Sequence, residues 1–296
     1  MSELGIRGRI GVLGLGLMGE MFVRHLLAEG WVVSGYDPEA TARDAVAELG
    51  GDVFDSVGEA LAGVELVLLS LPNSVVMLEV CEQIMTSEAS ALLVIDTTTG
   101  DPNDSVLAAS RLAEAGHGYV DATVSGNAAQ FAERDVIFMV GGEPGDVERA
   151  GQVLRALGRH VYALGGVSAG SRAKLVVNHV LSINRTAVAE GLTVAEKAGL
   201  DLDSMLELLR DSAAYSRAMD IWGDRMVNGD HDPPASRMRQ SHKDSRLIND
   251  HAEQIGASHD VVNVVRQLYA LAEASGLSDA DNSAMMELMR RRAGLT

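Results

Sequence analysis

RIGVLGLGLMGE, residues 9–20, opens as an apolar, β-branched run and breaks into three glycines, Gly14, Gly16 and Gly19, before a helix-compatible segment. In a strand–turn–helix unit these glycines have separate tasks. Gly14 allows the tight turn, Gly16 lets a pyrophosphate approach the backbone, and Gly19 permits close packing of helix on strand. Leu15, Leu17 and Met18 complete the loop, and the N–H donors and dipole of the following helix suit a phosphate. A glycine-rich turn alone says little. Its place after the first strand of a strand–helix–strand unit makes it a dinucleotide-binding fingerprint.

Asp37 stands eighteen residues past Gly19, at the end of the second strand candidate. A carboxylate there accepts hydrogen bonds from the adenine ribose hydroxyls and repels a 2′-phosphate, so NAD is expected in preference to NADP. The run Asp37-Pro38-Glu39 also reads as a helix N-cap with proline at the first helical position, and the two roles are compatible. Arg43, close by, softens the discrimination.

Outward from this unit, short apolar runs alternate with amphipathic, alanine-rich segments. The strand candidates are RIGVLGLG, WVVSGYD, LVLLSLP, LLVIDTT, GYVDATV, VIFMVGG and HVYALGG, with helices expected over 18–29, 38–49 and 102–115. That alternation predicts a mostly parallel, doubly wound α/β sheet of Rossmann type. After Gly165, Gly166 and Gly170 the strand signals stop, and a long interdomain helix runs to about Lys197. The expected organisation is a dinucleotide-binding domain over 1–166 and an all-α domain over 167–296, the latter interrupted by the turn-rich NGDHDPPAS at 228–236.

Composition narrows the partners. A chain of 296 residues with 47% hydrophobic content can bury two cores. A net charge of −18 argues against nucleic acid and anionic membrane surfaces. The one cysteine, Cys81, excludes an internal disulfide and suits a reducing compartment. The first ten residues carry no leader-type apolar core and no run reaches the length of a membrane span, so a soluble cytoplasmic protein is expected. His242, His251 and His259 lack ligand spacing and no metal is assigned; the methionines read mostly as core filler.

Only three of the 24 basic residues are lysines: Lys174, Lys197 and Lys243. Lys174 lies in GSRAKLVVNH (170–179), where Gly170, Lys174 and Asn178 follow at intervals of four and share one helix face. Lysine can give up its proton when its surroundings lower its pKa from the ordinary value of about 10.4, and arginine cannot. A lysine in a cleft beside other cations can therefore take the proton from an alcohol that is losing hydride. The alternative is an interface lysine with a packed stem and a solvated head.

Several ordered motifs now resemble the β-hydroxyacid dehydrogenase family, which includes 3-hydroxyisobutyrate and tartronate semialdehyde dehydrogenases. They are GLGLMG (14–19), LPNSVV (71–76), DTTTGDP (96–102), DATVSGN (121–127), GSRAKLVVN (170–178), AEGLTVAEKAGLD (189–201) and KDSRL (243–247), and they span nearly the whole chain. The resemblance implies Lys174 as proton acceptor and donor, with Asn178 orienting it or bonding the substrate. It implies that Ser125 and Gly126, with Asn127 in the same turn, hold a substrate carboxylate, and that Gly170 gives close approach. Leu71 and Pro72 would pass along the cofactor, Thr99 would contact the nicotinamide ribose or substrate, and Lys243 would be a second cation near both. Thr123 replaces a customary proline, Asn127 a customary glycine, and Arg134 stands near another. Asparagine tolerates positive φ, so the turn is expected to survive, with Asn127 and Arg134 altering the pocket. Asp96 and Asp281 are read as structural, the first tying its own turn and the second capping a helix.

The implied activity is NAD-dependent oxidation of a short 3-hydroxy carboxylate, in a homodimer or homotetramer. An imine or carbonyl reductase of the same architecture and a non-catalytic nucleotide-binding scaffold are the competing readings, and both are disfavoured by the retained Lys174.

Overall fold

The computed structural model describes residues 8–295, and its contacts divide the chain into two units, Met1–Lys174 and Leu175–Thr296. The leader reading of the first ten residues falls largely on 1–7, outside the described residues.

In the first unit, the glycine stretch forms β1 (Arg9–Leu13) and α1 (Leu17–Ala28), followed by β2 (Val32–Tyr36) and α2 (Ala40–Glu48). Next come β3 (Asp52–Val53), α3 (Val57–Ala60), β4 (Leu66–Leu69), α4 (Ser74–Thr86), β5 (Leu93–Asp96) and α5 (Pro102–Glu114). The unit continues through β6 (Gly118–Ser125), α6 (Ala128–Ala132), β7 (Ile137–Gly142), α7 (Pro144–Leu157) and β8 (His160–Gly165) to the start of α8 (Ala169–Lys197). The strands form one sheet in the order β3-β2-β1-β4-β5-β6-β7-β8, parallel throughout except where β6 meets β7. This is the doubly wound Rossmann-type sheet that the alternation predicts.

Pleating sorts the core. Ile10, Val12, Leu68, Leu93 and Ile95 face one apolar cluster, while Leu13, Val67, Leu69, Leu92 and Val94 face the other. Helices cover both faces, which is why the strands read as continuous apolar runs. Each fully buried aliphatic side chain contributes about 1.5–3 kcal/mol. The strand order reverses between β1 and β4, and the carboxyl ends beside such a switch point form the crevice where α/β sheets bind ligands.

The differences from expectation are local. The two-residue β3 carries no periodic signal. The antiparallel β7 is invisible to pattern alone, because a buried strand reads the same in either direction. Helix α2 begins at Ala40 with Glu39 in the N-cap position, so Asp37 is not a helix cap. Its Oδ1 instead accepts the Glu39 N–H at 2.9 Å.

The unit boundary falls inside α8, eight residues beyond the expected 166, because the first turns of α8 are fastened to the sheet. Gly170 packs on β6 and β7 so closely that a Cβ there would lie 2.7 Å from Asp121 O and closer still to Met139 O.

The second unit is helical. After α8 come α9 (Leu202–Asp211), a π-helical turn (Met219–Gly223), α10 (Asp224–Asn228), α11 (Met238–Gln254), α12 (Asp260–Ala272) and α13 (Met285–Arg292). Its core gathers Leu192, Trp222 and Tyr269 with methionines such as Met219, Met226 and Met285. Gly229, in the left-handed region at φ 66°, ends α10 and opens the expected loop. Asp281 is fully buried; it accepts N–H bonds from Ala235, Ser236 and Ser283 and pairs with Arg225 at 3.2 Å. It caps the short helix Asn282–Ala284. No helix among the described residues is long and apolar enough to cross a membrane.

Candidate active site

At the carboxyl end of β1 the chain turns through Gly14, whose φ is +89° and whose added Cβ would press on the Ser70 carbonyl. Gly19 abuts the Gly14 carbonyl, and nothing lies within 4 Å of a Cβ built on Gly16. Of the three glycines, then, two are fixed by internal packing and Gly16 faces open space. That is where a pyrophosphate would need the room. Gly16 is the N-cap of α1 and supplies no side-chain cap, so the helix presents unpaired N–H groups to an anion. Leu17 is exposed at the mouth, while the Leu15 side chain is buried and only its backbone belongs to the loop.

Asp37 braces this loop. Its Oδ2 accepts the Leu15 N–H at 2.7 Å. With Oδ1 on Glu39, each oxygen keeps a lone pair for a further donor such as a ribose hydroxyl. Arg43 donates to the Asp37 carbonyl at 2.7 Å and pairs with Asp55 at 3.1 Å. These residues fit a nicotinamide dinucleotide. The glycine loop and α1 terminus would hold its phosphates, and Asp37 its adenine ribose.

Across the switch point, Leu71 and Pro72 follow β4, held by α4, whose N-cap Asn73 accepts the Val76 N–H at 3.0 Å. Thr99 is half-buried in the loop after β5. That loop is pinned from below by Asp96, which is buried, accepts the Thr98 N–H at 2.9 Å and takes the Tyr119 hydroxyl bond at 2.8 Å. Burial raises the Asp96 carboxyl above its ordinary value, and the bonds from Thr98 and Tyr119 counter this. The structural reading of Asp96 matches these contacts.

At the end of β6 lie Ser125 and Gly126. Gly126 has φ +146°, and a Cβ there would lie 2.6 Å from Val136 Cγ1, so this position needs glycine twice over. Asn127 has φ −100°, so the positive φ expected of it is not used. Instead it caps α6: Oδ1 accepts the Gln130 N–H at 2.9 Å, and its own N–H donates to Gln130 Oε1 at 3.1 Å. Arg134 occupies the left-handed region, at φ 56°, a conformation that favours glycine. Its guanidinium donates to Glu29, the C-cap of α1, at 2.6 Å and to His25, in the last turn of that helix, at 3.3 Å. The expectation that Arg134 alters the pocket is corrected: its charge is committed to α1.

Lys174 reaches this same edge. Its Nζ donates to the Val124 carbonyl at 2.6 Å, one residue before Ser125. What sets its position is a clamp that sequence reasoning missed. Asp121, fully buried, accepts the Ser168 N–H at 2.7 Å through one oxygen and the Ser171 N–H at 2.6 Å through the other. Two residues along the same strand face, the Thr123 hydroxyl donates to the Gly170 carbonyl at 2.9 Å. Burial pushes the Asp121 carboxyl up to about 6 against the lowering effect of those N–H bonds. The available signal was the pair Asp121 and Thr123 at i and i+2, with serines at 168 and 171 flanking the helix start.

In the helical unit taken by itself, Asn178 Nδ2 donates to Asp244 Oδ2 at 2.9 Å, and Lys243 Nζ lies 3.5 Å from Asp244 Oδ1. Asp244 thus joins two expected site residues that are 65 positions apart. Among the described residues no group of three or more His, Cys, Asp or Glu side chains gathers as a metal cradle.

A switch-point crevice with a glycine cradle and a helix-borne lysine at the sheet edge defines a dinucleotide-binding oxidoreductase. Residues 9–166 match the family described as the NAD binding domain of 6-phosphogluconate dehydrogenase. Residues 168–289 match the NAD-binding domain of NADP-dependent 3-hydroxyisobutyrate dehydrogenase. The chain is 32% identical to a probable 3-hydroxyisobutyrate dehydrogenase of Mycobacterium tuberculosis over 96% of its own length and 98% of that protein. It is 27% identical to the chloroplastic glyoxylate/succinic semialdehyde reductase 2 of Arabidopsis thaliana, covering 95% of this chain and 79% of that one. The solved structure of Mycobacterium tuberculosis 3-hydroxyisobutyrate dehydrogenase with L-serine superposes with a TM-score of 0.88 at 29% identity, over 95% of this chain and 99% of that one. The chain belongs to the β-hydroxyacid dehydrogenase family, in the 3-hydroxyisobutyrate dehydrogenase-like branch that binds NAD(P).

Proposed function

We propose that the protein oxidises a short 3-hydroxy carboxylic acid to its semialdehyde, and reduces it in reverse, with Lys174 as the general acid/base. The single observation carrying this reading is the Lys174 Nζ bond to Val124 O, beside Ser125 and Gly126 at the carboxyl edge of β6. A bound nicotinamide dinucleotide supplies the hydride acceptor. As the substrate C–H pair leaves, the hydroxyl O–H bond breaks, and the neutral Lys174 amine takes that proton while the C–O bond becomes a carbonyl. In reduction the Lys174 ammonium returns the proton to the new alkoxide oxygen. The Ser125 hydroxyl and the Gly126 N–H hold the substrate carboxylate. Asn127 spends its backbone N–H and Oδ1 in capping α6, which leaves its Nδ2 to donate to the carboxylate. Asn178 and Lys243 contribute further substrate contacts, and Asp244 holds both in place.

NAD is the preferred cofactor in this reading. The Asp37 carboxylate, anchored through Leu15 and Glu39, repels a 2′-phosphate, and Arg43 is drawn to Asp55 and the Asp37 carbonyl. Absorbance at 340 nm tests the proposal during a screen of 3-hydroxyisobutyrate, glycerate, serine, threonate and 3-hydroxypropionate, each with NAD and with NADP. Turnover of at least one, faster with NAD, is expected. Failure with every hydroxy acid refutes the activity, and preference for NADP refutes the cofactor assignment alone. The expected setting is a soluble cytoplasmic homodimer or homotetramer.

A further inference from the structure

We propose that the helical unit contains an internal site for a small monoanion, chloride or a short free carboxylate, centred on the Arg185 guanidinium. Arg185 lies on α8, is only 4% exposed, and stacks over Trp222 at 4.7 Å and Tyr269 at 5.6 Å from the ring centroids. In a chain with 42 acidic residues, no carboxylate among the described residues lies within ion-pair distance of it. Its hydrogen bonds go to neutral oxygens instead. Nε donates to Tyr269 Oη at 3.1 Å, and one terminal nitrogen donates to Tyr269 Oη and to Ser241 Oγ at 3.0 Å.

The chemistry of the cluster is one-sided. Tyr269 and Ser241 spend their oxygens as acceptors, so each still has a hydroxyl proton to give. The Trp222 indole N–H is buried with no partner. Arg185, Tyr269, Ser241 and Trp222 together offer donors and positive charge, and their only acceptors are the two hydroxyl oxygens that Arg185 already occupies. The aromatic faces recover part of the cost of burying a cation, but an unpaired guanidinium in an apolar core remains strongly unfavourable. A small anion would supply the counter-charge that the guanidinium lacks and an acceptor for these hydroxyl and indole protons. Trp222 also sits in a π-helical turn, a rare form of helix found frequently at functional sites.

The anion is not the reacting substrate. Along α8, Arg185 lies seven residues beyond Asn178, about 10 Å at 1.5 Å per residue, beyond the span of a short hydroxy acid held at Asn178. The site therefore stands independently of the proposed reaction.

Trp222 provides the readout. A Trp31→Phe variant leaves it as the sole tryptophan. After exhaustive exchange into gluconate, the full-length variant is titrated with sodium chloride and, separately, sodium formate at constant ionic strength. A saturable change in Trp222 emission and a parallel rise in Tm are expected for at least one anion. Response to chloride alone identifies a halide site, and response to formate identifies a carboxylate site. Arg185→Met, tested in the same background, should weaken the response at least tenfold. Should that variant fail to fold, Ser241→Ala, at the half-buried edge of the cluster, should weaken it severalfold. Emission and Tm indifferent to both anions, or a linear response unchanged by these substitutions, overturn the proposal.

Discussion

Substituting Gly170 by alanine tests whether the sheet really sets the height of the lysine. The new Cβ would meet Asp121 O at 2.7 Å and Met139 C at 2.9 Å, with Met139 O nearer still. Ordinary contact needs about 3.5 Å, so the first turn of α8 has to retreat by about 1 Å. The obstructing atoms are backbone in two paired strands and cannot rotate aside. Overpacking of this kind costs about 1–3 kcal/mol. Retreat also stretches the bonds from Thr123 to Gly170 O and from Ser168 and Ser171 to Asp121. Each of these contributes about 1 kcal/mol, and more where the acceptor is charged. Alanine returns about 1 kcal/mol of helix propensity, leaving a net loss of about 2–3 kcal/mol. The amine one turn along moves with the helix, and misplacement by about 1 Å can cost about 100-fold in rate. Gly191, exposed on the same helix with nothing within 4 Å of an added Cβ, is the internal control. Gly191→Ala should gain about 0.5–1 kcal/mol. Urea denaturation and kcat are the assays. A Gly170→Ala protein matching wild type in both, or a Gly191→Ala protein losing as much as Gly170→Ala, refutes the reasoning.

Asp121 should leave a mark on pH dependence. Its folded-state carboxyl is raised to about 6, so folding favours the protonated form. Its contribution to stability is complete below the ordinary value near pH 4 and is lost as pH rises through about 6, about 3 kcal/mol in all. Denaturation midpoints from pH 4 to 7 should fall more steeply in wild type than in Asp121→Asn, which keeps only the slope from other groups such as Asp96. Asp37→Ser should lower the NAD/NADP ratio of kcat/KM at least tenfold by admitting the 2′-phosphate; an unchanged ratio removes Asp37 from cofactor selection. Asp281→Ala leaves half-buried Arg225 without its carboxylate and three backbone N–H groups without their acceptor, and calorimetry should register a loss of about 3 kcal/mol.

The sheet was legible because buried parallel strands and glycine turns have strong local signatures, and Gly14, Gly16 and Gly19 sit where the fingerprint puts them. What the chain concealed depends on tertiary pairing. The direction of β7 has no local correlate, and the short β3 is held by β2 rather than by its own pattern. Asp37 looked like a helix cap because Asp-Pro-Glu favours one, yet its carboxylate is drawn to Leu15, 22 residues earlier. Arg134 could be flagged as unusual, but its partners on α1 are over 100 residues away. Lys174 stood out as a candidate through its stripe with Gly170 and Asn178. The clamp that holds it spans β6 and α8, and so does Asp244 bridge residues from two separate helices.

The proton carrier is tested most directly by Lys174→Arg, assayed for turnover by absorbance and for NAD affinity by calorimetry on the same preparation. Arginine keeps the positive charge and much of the length but cannot shed its proton. Turnover should fall by about 10²–10⁴-fold, the usual worth of a general base, while NAD binds within twofold of wild type. An arginine variant turning over at near wild-type rate would contradict the assignment of Lys174.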